Sequence, residues 1–343
     1  MDTNDFASLM KSVPGLSESQ MKALYKKLQG FVETNLTSSE PVIKELRETK
    51  FKEGFICPHC NSKHVVRYGM NKGRQRYKCK DCGKTSIDLT NTPLCRTRYP
   101  QKWILFIECM LNGFSLRKSA TIVGVTWVTL FYWRHKILSA LKQMTLDEFV
   151  GIVEVDETYF LQSEKGNKHI KGRKPRKRGG ASQFRGISKE QVCVLVARDR
   201  SKNTVAKVTC MGRIMKPQLD KVIGNLISDK NILCTDAWRA YKTYATTKGI
   251  THYRIKSDGD SHTIKGIYHI QNVNSYHGRF KQWLYRFNGV SSKYMDNYLA
   301  WYKFLDSRGC EITKKNLKDM LVTACQFQVK ETYNSLRLSK FAV

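Results

Sequence analysis

Acidic residues are scarce in this chain: 29 Asp and Glu stand against 60 Lys and Arg among 343 residues, a formal net charge of +31. That deficit points to a polyanionic partner, since a surface so positive must otherwise repel itself. Long apolar runs are also lacking. The longest, residues 103–114, is broken by Glu108 and Asn112, and no charged-then-apolar leader opens the chain. Neither a membrane span nor a secretory signal is expected, and a cytoplasmic, nucleoid-associated location of the bacterial type is. A disulfide framework is excluded by an odd count of eleven cysteines at uneven spacing. What is present, 41% hydrophobic and 11% aromatic residues, suits a folded chain with two or three domains and at least one sizeable core.

The positive charge is spread along the chain. Residues 1–50 hold seven basic and seven acidic side chains, whereas residues 51–98 hold eleven and three, and each later stretch stays basic. Several surfaces laid along one nucleic acid fit this pattern better than a single sticky tail. The first 50 residues read as amphipathic helices (Met21, Leu24, Leu28, Phe31) suited to protein contacts.

Four cysteines stand apart. Cys57-Pro-His-Cys60 and Cys79-Lys-Asp-Cys82 are two C-x2-C knuckles separated by 18 residues, the spacing of a four-thiolate zinc ribbon. Strand-like segments at residues 64–68 and 76–78 make a hairpin, with the turn over residues 69–73. His59 and His64 are not needed as ligands. Lys72, Arg74, Arg76, Lys78, Lys80 and Lys84 crowd the hairpin around Tyr77, as phosphate contacts with some stacking; ribbons also serve as protein docking modules. The remaining cysteines (95, 109, 193, 210, 234, 310 and 325) read as buried thiols.

Helical spacing follows at Trp103, Phe106, Ile107 and Met110. Ser115 caps a short helix to Val123, Gly124 turns the chain, and Thr126 caps a longer helix through Phe131, Trp133 and Ile137. This helix-turn-helix layout would offer Thr126, Trp127, Thr129 and Arg134 to a groove. Three packed linker helices would look the same.

Residues 152–157 form an apolar strand that finishes in acids, and residues 232–236 form another ending in Asp236. Between them lie the apolar run 192–197, a strand at 204–210 and a helix near 217–227. Strand, strand, strand, helix, strand is the order of a ribonuclease H-like core. If the first and fourth strands are parallel neighbours, Asp156 and Asp236 share a Mg2+ or Mn2+ ion, because unpaired carboxylates at the end of a buried strand are costly without a cation. Glu154 shares the side of Asp156 by the two-residue period and is a candidate supporting ligand; Glu157 points away. A helix from Val273 places Val273, Tyr276, Phe280, Leu284 and Phe287 on one face and Asn274, Gly278, Lys281 and Tyr285 on another. The Asn274 carbonyl can complete the ion's shell and Lys281 can hold a phosphate, with His277 at the edge of that face, open to DNA or a leaving group. Between the first two strands, residues 165–185 hold nine basic side chains, Lys174, Arg176, Lys177 and Arg178 among them. With their glycines they read as a mobile loop ordered on DNA.

The phrases VEVDETY from Val153, TDAWRAY from Thr235 and HIQNVNSYH from His269, with Lys281 beyond, make the chain resemble DDE-type insertion-sequence transposases of the IS1595 family, whose catalytic domain is ISXO2-like. With the ribbon the likeness covers roughly residues 51–306. It implies that Asp156 and Asp236 are the first two catalytic acids, that the third position falls on Asn274 where the wider superfamily has Glu, and that Lys281 is the trailing lysine. It also implies cleavage at the element's terminal repeats, joining of the 3'-hydroxyl to target DNA, and a homodimer or larger oligomer on double-stranded DNA. The expected organisation is α/β: a helical region at 1–50, a zinc ribbon at 51–98, a helix-turn-helix-like segment at 99–148, the ribonuclease H-like domain at 149–310 and a helical tail at 311–343. A DNA-binding regulator with a silent catalytic domain, and a nuclease that cuts without joining, are the competing readings.

Overall fold

The computed structural model describes residues 8, 12–25, 40–52, 54–71, 74–97, 99–176, 179–256, 262–308 and 314–341. Leu28, Phe31, Lys72, Gly73, Lys177, Arg178 and Cys310, named above, lie outside the described residues.

After a helix α1 (Glu40–Lys50), the strands β1 (Val65–Asn71), β2 (Arg74–Cys79) and β3 (Thr85–Ser86) form an antiparallel sheet in that order. Gly69 lies inside β1, at a left-handed φ of +66°, where the register slips between Arg67 and Met70. It therefore makes a bulge, and the pairing of β1 with β2 continues past it to Asn71 opposite Arg74. Tyr77 faces inward, stacked on Phe55 with ring centroids 3.9 Å apart, so the exposed ring of this sheet is Tyr68.

The helical segment forms as its caps dictate. Ser115 accepts a hydrogen bond from the Lys118 amide ahead of α3 (Leu116–Val123), and Thr126 accepts one from the Thr129 amide ahead of α4 (Trp127–Leu141). Gly124 ends α3 at φ +66°. The helix α2 (Trp103–Leu111) packs on α4 through Trp103 stacked against Trp133 at 4.5 Å. α4 is buried along most of its length, which corrects the expectation for Arg134. That side chain is internal, its guanidinium 5.3 Å from the Trp301 ring and 5.7 Å from Phe287, donating to the Phe114 carbonyl. Trp127, half-exposed, is the one residue of α4 that is openly exposed, while Phe131, Tyr132 and Lys136 are partly buried.

The larger sheet takes the order β6-β5-β4-β7-β8, from β4 (Ile152–Leu161), β5 (Gln191–Asp199), β6 (Thr204–Met211), β7 (Ile232–Asp236) and β8 (Thr251–Ile255). β4, β5 and β6 are antiparallel neighbours, while β7 runs parallel to β4 and β8 parallel to β7. This mixed sheet is consistent with a ribonuclease H-like core. Its interior strand β5 is apolar on both faces because both are covered. Val194 and Val196 face a core shared with α2, α4, α7 (Gln271–Tyr285), α8 (Met295–Arg308) and α9 (Lys314–Gln326). Cys193, Leu195 and Ala197 face α5 (Lys216–Ile223) and α6 (Arg239–Lys248). α9 packs on α1, α2 and α4, and buries Met320, Leu321 and Cys325 in the first of these cores. Of the described thiols outside the knuckles, Cys109, Cys193, Cys234 and Cys325 are buried, and Cys95 and Cys210 are partly so. No helix among the described residues is long and apolar enough to cross a membrane.

Candidate active site

β4 and β7 pair in parallel with Glu154 opposite Cys234. Carrying that register two residues further along each strand brings Asp156 alongside Asp236, whose charge helps raise the Asp156 carboxyl. β7 ends there, but β4 continues to Leu161 because β5 pairs with it throughout, Leu161 lying opposite Gln191. The acids of β4 thus sit in mid-strand, at the point where its parallel neighbour stops, and not at a strand end as the sequence suggested.

The helix α7 runs along the same face. Val273 donates its amide to Glu154 at 3.0 Å, His277 Nδ1 lies 3.6 Å from Asp156 Oδ2, and the Phe280 ring meets Phe160 edge-on at 5.8 Å. Four residues of helix rise ~6 Å and two residues of strand ~6.7 Å, so the helix step from Val273 to His277 keeps pace with the strand step from Glu154 to Asp156. This match sets His277 over Asp156. His277 is therefore buried, which corrects its expected place at an open edge; at 3.6 Å the pair is in contact without a hydrogen bond. Burial, with help from Lys281, pushes the imidazole down to about 4.

Glu154 is the second correction. Its carboxylate is 1% exposed and fully engaged: Arg200 Nη1 at 2.7 Å, Asn272 Nδ2 at 2.8 Å, the Val273 amide at 3.0 Å and His269 Nδ1 at 3.3 Å. All four partners are drawn from the neighbouring strand β5's end or the start of α7. The side chain that the two-residue period placed beside Asp156 is spent anchoring the helix that carries Asn274, His277 and Lys281, with Arg200 as its counter-ion.

Glu157, one residue on, takes the opposite face, as expected, but does not leave the site. It accepts hydrogen bonds from Tyr241, inside the second core, and from Tyr159 at 3.2 Å, and with Asp236 and Asn274 it lines a cavity of about 670 Å³. Burial together with the nearby Glu157 and Asp236 charges raises the Asp156 carboxyl to about 7. Burial, partly offset by the Tyr241 hydrogen bond, also raises Glu157. Among the described residues no Lys or Arg comes within ion-pair distance of any of these three acids; His277, uncharged at neutral pH, is the only basic side chain that does. A hard cation suits such a donor set of carboxylates with the Asn274 amide alongside. Asn274 and Lys281 are both exposed on α7, and Lys281 is near enough to pull the Asp156 carboxyl slightly down.

In the ribbon, the Sγ atoms of Cys57, Cys60, Cys79 and Cys82 all lie within 4.8 Å of one another, with Cys57–Cys82 at 3.7 Å and Cys60–Cys79 at 3.6 Å. Sulfurs ~2.3 Å from a tetrahedral ion would stand ~3.8 Å apart, so the four could hold one metal ion. Hydrogen bonds from the Cys82 and Asp81 amides hold the Cys79 thiol down to about 6.

The basic residues divide. Arg76 and Lys78 flank the exposed Tyr68 ring at 5.4 and 5.2 Å, and Lys80 is exposed. Arg74 instead pairs at 3.3 Å with the buried Asp88, which Arg47 also holds. The loop of residues 165–185 is tied down where described. Lys165 caps the end of α7 by donating to the carbonyls of Phe287, Asn288 and Gly289, Arg173 pairs with Glu164, and Arg176 bonds Gln162 and Glu190. Arg176 is thus an internal anchor, whereas Lys174 is free to face a ligand. Sequence reasoning missed Arg213 and Trp238. The Arg213 guanidinium covers the Trp238 indole at 4.2 Å beside Asp236.

The model of the ISXO2-like transposase domain matches residues 148–305, and that of the transposase zinc-ribbon domain matches residues 38–85. The chain is 28% identical over 287 residues to an uncharacterized protein in transposable element ISH50 of Halobacterium salinarum, covering 81% of this chain and 94% of that one. A chain in the cryo-EM structure of a simian T-cell lymphotropic virus intasome with PP2A regulatory subunit B56 gamma aligns at 14% identity over 62% of this chain and 74% of that chain, with a TM-score of 0.29, too low to bear on fold or function.

Proposed function

Since this chain belongs to the IS1595 family of transposases, carrying both its zinc-ribbon and its catalytic domain, we propose that it binds the terminal inverted repeats of its own element, cleaves at the element ends and joins the freed 3'-hydroxyl to target DNA. The observation that carries this reading is the placing of Asp156 level with Asp236 on parallel neighbours, under a helix that offers Asn274 and Lys281.

Asp156, Asp236 and the Asn274 carbonyl are the groups that would hold Mg2+ or Mn2+. Two such ions when bound would polarise the scissile phosphate and acidify the attacking oxygen. The chain's residues do the rest. Lys281 neutralises a non-bridging phosphate oxygen on the open side of α7. His277, uncharged and packed against Asp156, excludes water behind that carboxylate. Glu154 and Arg200 fix the start of α7 so that these groups stay in place. In the first step a water oxygen bonds to phosphorus at the element end and the 3'-oxygen leaves, taking a proton. In the second that 3'-hydroxyl loses its proton, bonds to a target phosphorus, and a target 3'-oxygen leaves. One phosphodiester bond is exchanged for another, so no nucleotide cofactor is required.

Zn2+ is the ion we assign to the four ribbon thiolates, as a structural metal that presents Arg76, Lys78, Lys80 and Tyr68 to the repeat. Pairing two ends calls for at least two protomers. The neutral Asn274 favours one other reading, a regulator that binds the repeats without cutting. Incubating the protein with labelled element ends, a plasmid and Mg2+ separates the three possibilities: joined product supports transposition, cut but unjoined ends indicate a nuclease, and bound but intact ends indicate the regulator.

A further inference from the structure

The cavity beside Asp236 is far larger than the ions its acids would hold. Its volume of about 670 Å³ lies within the ~300–1,000 Å³ range of small-molecule sites. One wall is the stacked pair of Arg213 and Trp238, the guanidinium 4.2 Å over the indole. That wall is held at a set distance from the acids, because the Trp238 amide donates to Asp236 Oδ1 at 3.0 Å and its indole nitrogen to the Ile214 carbonyl at 3.1 Å. Ile255 and Ile270 supply apolar lining, and Lys256 and His262 supply positive or polar groups.

A flat cationic and aromatic platform, apolar flanks and basic groups together match one ligand chemistry, a planar base on an anionic phosphate. Within a duplex both faces of a base are covered by its neighbours. A base can use a platform set inside a concavity only after it leaves the stack. The geometry points to a pocket that takes one unstacked nucleotide of the DNA substrate, its base on the Arg213–Trp238 platform and its phosphate toward Lys256. This rests on the reading of the chain as an enzyme acting on DNA ends and adds how an end is gripped. Asp236 adjoins the platform in the chain, so seating that base would fix the scissile phosphate against the acids.

The test uses the full chain with its ribbon metal in place and duplexes carrying the DNA that borders its reading frame, with 5-iodouracil replacing each thymine in turn and Mg2+ left out so that no end is cut. Illumination should crosslink one position near the element end to Trp238. Trp238→Ala should weaken binding roughly 5- to 150-fold, the usual effect of losing one stacked base, while Trp238→Phe stays within a few-fold of the wild type. A mismatch at the crosslinked position should tighten binding by the wild type and leave Trp238→Ala unchanged, because the mismatch lowers only the cost of unstacking. If Trp238→Ala fails to fold, Arg213→Ala at the exposed side of the pair gives the same readout. Wild-type protein that cleaves these ends with Mg2+, yet shows no loss of affinity in either alanine variant and no mismatch effect, overturns the pocket and leaves the functional reading standing. Wild-type protein that cleaves no end overturns the functional reading, whatever the binding data show.

Discussion

Replacing Glu154 with glutamine keeps the shape of the side chain and removes its charge, and the structure says where the damage falls. One carboxylate oxygen receives Arg200 and Asn272, with His269 Nδ1 3.3 Å away; the other receives the Val273 amide. A glutamine has one acceptor and one donor end. With its oxygen toward Arg200, its NH2 group opposes the Val273 amide; turned round, the NH2 group opposes the guanidinium. Either way a buried donor loses its partner, at about 1–3 kcal/mol, and Arg200 loses its counter-ion. Arg200 is 31% exposed and can partly rehydrate, so the sum is about 2–4 kcal/mol, below the ~3–5 kcal/mol of a wholly buried broken pair. For a chain of this size that lowers Tm by roughly 3–6 °C. Because α7 carries Asn274, His277 and Lys281, a shift of about 1 Å at its start should cut the cleavage rate by about 100-fold. Thermal denaturation without metal, followed by end cleavage below the transition, measures both. A variant that melts with the wild type but binds Mg2+ more weakly would refute the anchoring role and restore Glu154 as a ligand.

Removing the ribbon metal with a chelator, or changing Cys57 or Cys82 to Ser, should open the segment from Phe55 to Ser86 to proteolysis and abolish binding to element ends; the protease pattern and a mobility-shift assay check it. For Asp156, burial raises the folded-state pKa from 3.8 to about 7, so stability without metal is fully present below pH ~4 and is lost as pH rises through 7. Tm should fall between pH 5 and 8, Mg2+ should restore more at pH 8 than at pH 5, and Asp156→Asn should flatten both responses. Arg134→Ala should lower Tm through the lost contacts with Phe287 and Trp301, by about 2–4 kcal/mol, and leave the preference for repeat sequence unchanged.

Much of this architecture could be read in the sequence because local rules act alone there. Ser115, Gly124 and Thr126 cap and stop two helices with no help from the rest of the chain, and the two C-x2-C knuckles bring four sulfurs together. That β4 and β7 are parallel neighbours followed from strand order. What the sequence hid depended on long-range packing. Arg134 has the spacing of a groove-reading residue, but α8 and α9 close over α4. Glu154 has the strand phase of a metal ligand, but Arg200 and α7 claim it first. Charge counts treat Arg74, Lys165 and Arg176 as free cations, while Asp88, the end of α7 and Glu190 hold them. His277 became legible only once α7 was known to run along β4 in step with it.

The account stands on two carboxylates acting together, and alanine at either one tests it most directly. With labelled element ends and Mg2+, Asp156→Ala and Asp236→Ala should each abolish cleavage while binding to the ends survives, and Asp156→Ala, which leaves the Asp236–Trp238 hydrogen bond intact, should keep the wild-type affinity. Cleavage that persists in either variant, or binding that is lost along with it, would contradict the assignment.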